Sequence, residues 1–123
     1  MIVTNNPQVA AKFDTRFVDG SYGKVLEKVR QLIVQEQRVL LSHPLSSSLK
    51  PNETYYKTII LAATPAQAID LESLAYIESA LEVYEQFSQD RTCPKWTEKG
   101  LADFALVDFS ITRSTLERIG GFF

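Results

Sequence analysis

The sequence predicts one α/β domain, a three-layer sandwich with a mostly parallel central sheet of about five strands. Three observations carry that expectation. The chain has 123 residues, 45% of them hydrophobic, which suits one core and is too short for two ordinary domains. Short apolar runs alternate with segments of helical periodicity along most of its length. Gly, Pro, Ser and Asn punctuate the changes between them.

The elements follow in order. "IVT" (2–4) reads as a short buried strand. Asn6 then Pro7 is an ordinary helix start, since Pro at the first helical position lacks only an N–H that would have no partner. Val9, Ala10 and Phe13 give helix 7–13 its apolar side. "TRFVD" (15–19) reads as a second strand, closed by Gly20 and Ser21. Ser21 caps the next helix, where Val25, Leu26, Val29, Leu32 and Ile33 share one face of a 3.6-residue period. "RVLLS" (38–42) is a short apolar run and reads as a third strand. "HPLSSSLKPNETYY" (43–56) has two prolines, three serines and no period, so it reads as a loop.

"KTIILAA" (57–63), β-branched and ended by Thr64-Pro65, is the clearest strand. Asp70 caps the longest helix, with Glu72 in its first turn and Leu71, Leu74, Ile77, Leu81 and Tyr84 as inner stripe, closed by Phe87. "QDRTCP" (89–94) breaks that helix. A short helix at 96–104, weakened by Gly100, a last strand "ALVDFS" (105–110) and a final helix 112–121 with Gly120 as C-cap complete the set.

Composition narrows the function. Thirteen basic and fifteen acidic residues are scattered, so there is no electrostatic footprint for nucleic acid. The lone cysteine, Cys93, cannot form a disulfide within the chain, and with one histidine it cannot make a Cys/His zinc site. No metal motif and no catalytic signature is present; serines 46–48 lack a nucleophile elbow. With no basic leader and no apolar run long enough to span a bilayer, the expectation is a cytoplasmic protein. The sequence names no cofactor.

A candidate ligand site follows from the fold expectation. In an open α/β sheet, ligands bind beyond the carboxyl ends of the strands. That rule gathers Asn5 and Asn6 after the first strand, and His43, Ser46, Lys50 and Asn52 after the third. His43 carries the only side chain whose ordinary pKa lies near neutrality. Lys50 and Asn52, with Glu53, set a cation, an amide and a carboxylate close together, suited to a small anion or a zwitterion. The plainer readings stand beside these: asparagines cap helices and form Asx-turns unaided, and a polar loop needs no ligand. The tail aromatics Phe122 and Phe123 either tuck onto the core or meet a partner. The sequence leaves a homo-oligomer open.

Two resemblances meet at these residues. "IVTNNP" looks like the start of the inosine-triphosphate pyrophosphatase family, in which a Thr-x-Asn turn and a nearby lysine bind nucleotide phosphates. That similarity is confined to the start of the chain, and the family's later acidic metal-binding motifs are missing. It keeps a small phosphate-substrate enzyme as an alternative. More broadly, "IVTNNP", "SHPLSSSLKPNETYYKTIIL" (42–61), "DLESLAYIESA" (70–80) and "WTEKGLADFALVDFSI" (96–111) together resemble the GrdX family, small proteins encoded beside glycine, sarcosine and betaine reductase components. The resemblance implies an accessory or regulatory protein of reductive amino-acid metabolism, with a reductase component as candidate partner. It carries over no catalytic residue. A pure protein-interaction module is the remaining alternative.

Overall fold

The computed structural model describes residues 1–43, 56–90 (backbone alone at 87–90) and 97–120. The chain runs β1 (Ile2–Thr4), α1 (Pro7–Lys12), β2 (Arg16–Phe17), α2 (Tyr22–Gln35), β3 (Thr58–Ile60), α3 (Leu71–Asp90) and α4 (Glu98–Ile119). The described chain is mostly helical, around a small three-stranded mixed sheet of order β2-β1-β3. β1 pairs parallel with β2, Val3 opposite Arg16, and antiparallel with β3, Val3 opposite Ile59. The expected five-stranded, mostly parallel sheet of an α/β sandwich is therefore incorrect.

Two predicted strands account for the difference. Residues 38–42 make one antiparallel bridge, Leu40 to Leu61. Gln37 sits at φ 57° and turns the chain out of α2. The Ile60 amide, which would carry the ladder on to Leu41 O, donates instead to Ser42 Oγ at 2.9 Å. The amides of Leu41 and Ser42 both donate to Ile60 O. "ALVDFS" (105–110) is the middle of α4, which joins the predicted helices 96–104 and 112–121 into one. Its burial repeats helically: Ala105, Thr112 and Leu116 are buried, whereas Leu106 and Val107 are 58% and 47% exposed. Gly100 does not interrupt α4, because its amide is the one that Thr97 Oγ1 accepts from at 3.1 Å.

The sheet sorts its side chains by strand parity. Val3, Ile59 and Leu61 pack against Val25, Leu26, Val29, Leu32 and Ile33 of α2 and Ile77 and Ala80 of α3. Ile2 and Ile60 turn the other way, to Val9 of α1 and Leu116 of α4. The predicted apolar face of α2 is buried throughout. On α3 the inner stripe holds except at Leu71, which is exposed. Asp70 caps α3 as expected: its Oδ2 accepts from the Ser73 amide at 3.0 Å. Gly23 lets α2 and α3 close, since a Cβ there would stand 2.6 Å from the Tyr84 ring. Tyr84 instead stacks on Tyr22, centroids 5.7 Å apart. Gly120, at φ 75°, ends α4. The predicted features at Phe87, Cys93, 91–94, Phe122 and Phe123 lie outside the described residues and side chains.

Candidate functional site

The carboxyl end of β1 is where polar groups enter the core. Because β3 runs antiparallel, its amino end, Lys57-Thr58, arrives at the same place. Asn5 and Asn6 are both buried there. Asn5 joins the strands: its Oδ1 accepts from the Lys57 amide at 2.8 Å, and its Nδ2 donates to Gly20 O at 2.9 Å. Asn6 caps α1, its Oδ1 accepting from the Gln8 amide at 3.0 Å. The Asn6 amide in turn donates to Thr4 Oγ1 at 2.9 Å. The Thr-x-Asn turn is thus closed upon itself.

Asn6 also reaches across to α4. Its Nδ2 donates to Ala105 O at 2.8 Å and to Asp108 Oδ2 at 2.9 Å. Thr58 Oγ1 donates to the same Asp108 oxygen at 2.6 Å, and Thr4 Oγ1 lies 2.7 Å from Thr58 Oγ1. With the Thr58 proton spent on Asp108, the single Thr4 hydroxyl proton is shared between Thr58 Oγ1 and Lys57 O, 3.3 Å away. Asn6 and Thr58 therefore hold Asp108 through its Oδ2.

Lys57 is the second charge at this end, and only 3% of its surface is exposed. Its Nζ lies 5.9 Å from the centroid of the Tyr22 ring, within range of cation–π attraction. Burial disfavours the ammonium and pushes its pKa down to about 8, with Asp108 opposing the shift. Burial raises the Tyr22 hydroxyl above its ordinary value, helped by Asp108 and then Tyr84.

Two adjoining recesses open beside this network. The narrower, with room of about 10 Å³, is lined by Ser42, Lys57, Thr58, Asp108, Thr112 and Thr115 among others. The wider, of about 330 Å³, is lined by Leu41, Ser42, His43, Thr115, Arg118 and Ile119. Ser42 and Thr115 line both. Arg118 leans back along α4, its Nη2 3.5 Å from Thr115 Oγ1. His43 is exposed, with its ring 5.3 Å from that of Tyr76. Two hydroxyls, an imidazole and a guanidinium around one concavity suit an anionic group.

Of the predicted site residues, Asn5 and Asn6 stand together within the network, and His43 lines the wider recess. Ser46, Lys50 and Asn52 lie outside the described residues. Sequence reasoning missed Lys57, Thr58, Asp108 and Arg118 as site residues. A signal for Lys57 was present: in "KTIIL" it shares strand parity with Ile59 and Leu61, the side that packs on α2 and α3. Reading 105–110 as a strand hid Asp108, which lies on the helical stripe of Ala105 and Thr112.

Among the described residues, no three His, Cys, Asp or Glu side chains are placed to share a metal ion, and no helix is long and apolar enough to cross a membrane. No curated protein and no solved structure matches the chain. A family model does match, that of the GrdX-like proteins, over residues 1–117. By that match the chain belongs to the GrdX-like family.

Proposed function

We propose that this GrdX-like protein is an accessory or regulatory protein that binds a small anion or zwitterion where β1 and β3 meet α4. The observation that carries the reading is the wider recess, with His43 and Arg118 at its wall. An anionic group seated there would take charge-assisted hydrogen bonds from the guanidinium and, when protonated, the imidazole. Asp108, which lines the adjoining recess, supplies the complementary negative charge for an ammonium. Asn5 and Asn6 serve the ligand indirectly, by joining β1 to β3 and holding Asp108. Ser46, Lys50 and Asn52 are proposed as further contacts from the segment that leaves at His43 and returns at Tyr56. A cytoplasmic setting, a role beside glycine, sarcosine or betaine reductase, and docking to one of its components are proposed on family membership alone.

The test is a thermal-shift panel of acetate, phosphate, glycine, sarcosine and betaine. A ligand at 100 times its Kd adds about 2.7 kcal/mol, which for a domain of this size raises Tm by roughly 10 °C. The expected result is a shift with at least one compound that Arg118→Gln or His43→Ala reduces. Equal shifts in wild type and both variants would remove the recess from the proposal, and no shift with any compound would remove the ligand.

A further inference from the structure

The two edges of the sheet, β2 and β3, are treated differently. Residues 39–42 run beside β3, and the amides of Leu41 and Ser42 donate to Ile60 O. Among the described residues, no strand pairs with the outer side of β2. The Val18 amide turns inward, to Thr4 O at 2.7 Å. Main-chain groups alternate along a strand, so those of Thr15 and Phe17 turn outward. The Phe17 ring is 49% exposed at the same edge. An edge of this kind is a template for a further strand.

We propose that this edge is occupied by a second copy of the chain, the two copies pairing antiparallel through residues 13–17 about a twofold axis at Thr15. The occupant is identified by charge. "FDTRF" (13–17) is complementary to its own reverse. With Thr15 opposite Thr15, Asp14 of each copy meets Arg16 of the other, and Phe13 meets Phe17. Opposite charges and aromatic pairs directly across strands stabilise, whereas like charges destabilise. Neighbouring registers lose this match. One step either way separates the charges, and two steps set Arg16 against Arg16 or Asp14 against Asp14. A patch that fits itself is what a twofold dimer requires.

The faces of the sheet agree with this register. Arg16 stands opposite Val3, on the side that packs on α2, and its guanidinium lies 3.1 Å from the Glu36 carboxylate at the end of that helix. Asp14 shares its parity and is exposed. Phe17 stands opposite Thr4, on the side of α1 and α4. Phe13, extended at φ −124° and ψ 159°, packs on that same side and stacks on Phe109, centroids 6.0 Å apart. Phe13, Phe109 and Leu116 line a recess of about 360 Å³. Pairing thus lays the exposed Phe17 of each copy against Phe13 at the wall of the other copy's recess, and apolar surface leaves water at both ends of the contact. The two Thr15 residues exchange main-chain hydrogen bonds at the axis, and each Phe17 amide donates to Phe13 O of the other copy. The Phe13 amide takes no part, being spent on Val9 O.

The experiment is sedimentation velocity of the full chain from about 5 to 500 μM, because a contact this short makes a weak dimer. The expected result is an equilibrium between 13.9 kDa and twice that mass. Asp14→Arg gives an edge with two arginines, and Arg16→Asp an edge with two aspartates. Each variant should sediment as a monomer by itself, with the far-ultraviolet circular dichroism of wild type. Mixed in equal amounts they should form a heterodimer, since opposite charges then face each other again. Both exchanges in one chain should restore the homodimer. Phe17→Ala should weaken the wild-type dimer at least roughly tenfold. A wild type that stays monomeric at the highest concentration would overturn the proposal and leave the edge to a strand of a different protein. A dimer that survives both single exchanges would overturn it by placing the contact elsewhere. Single variants that do not associate when mixed, together with a double exchange that stays monomeric, would overturn the pairing of Asp14 with Arg16 and the proposal with it.

Discussion

Lys57→Met removes a buried charge and keeps most of the side-chain volume, and its consequence can be worked as a function of pH. The folded protein holds the Lys57 ammonium at a pKa of about 8, against 10.5 for the ordinary side chain. Below pH 8 both folded and unfolded chains carry the proton, and folding bears the full cost of burying it. That cost is about 3 kcal/mol, at 1.36 kcal/mol per unit. Between 8 and 10.5 the unfolded chain keeps more protons than the folded one, so stability rises with pH. Tyr22 acts in the opposite sense: its raised pKa makes the folded state hold a proton that the unfolded chain releases near pH 10. The gain from Lys57 is therefore visible between pH 8 and 10, where it amounts to about 2 kcal/mol. Urea denaturation of wild type and Lys57→Met at pH 7.5, 8.5, 9.2 and 10 reads it out. The variant is expected to be at least as stable as wild type at pH 7.5, with the advantage shrinking steadily toward pH 10. Parallel pH profiles in the two proteins would show that Lys57 is not buried as an ammonium, and the reasoning from burial to pKa would fail.

Three further substitutions probe the frame around the site. Asn6→Asp keeps the cap acceptor of α1 but points a carboxylate at Asp108 Oδ2; it should cost about 2–4 kcal/mol at pH 7 by urea denaturation, and a neutral result would mean that Asn6 does not bridge to α4. Gly23→Ala drives a methyl to within 2.6 Å of the Tyr84 ring and should cost about 1–3 kcal/mol, with loss of near-ultraviolet tyrosine ellipticity as Tyr22 and Tyr84 unstack. Val107→Lys should change stability by less than about 0.5 kcal/mol, whereas Ala105→Lys should cost at least about 2 kcal/mol. Equal losses at 105 and 107 would instead support a strand, in which both positions share a face.

Which parts of the fold were legible follows from how many turns of sequence each element offers. α2 shows its period over four turns, so its buried face could be named residue by residue, and Val25 to Ile33 lie as the spacing dictates. Asp70 was legible because a cap is a local bond, here to the amide three residues on. The run 105–110 was not, because six apolar and polar residues satisfy a two-residue and a 3.6-residue period alike. What decides it is tertiary: Asn6 and Thr58 hold Asp108, Leu116 meets Ile2 and Ile60, and only a helix delivers both contacts along one stripe. Residues 38–42 fail as a strand because the Ser42 hydroxyl takes the Ile60 amide that would have carried the ladder on to Leu41.

The site was half legible for the same cause. Asn5 and Asn6 were conspicuous as polar residues after a strand, but that prominence reflects their work in joining β1 to β3, α1 and α4. The charges that give the network its chemistry, Lys57 and Asp108, look ordinary in their own segments. A lysine opening an apolar strand passes for a solvated end, and an aspartate in "ALVDFS" passes for a turn. Their meaning arises only because β3 runs antiparallel to β1, bringing its amino end to the carboxyl end of the central strand. A parallel β3 would have put Lys57 at the opposite end of the sheet, away from Asn5 and Asp108. The direction of one three-residue strand thus determines whether the buried Lys57 and the partly buried Asp108 stand at the same end of the sheet.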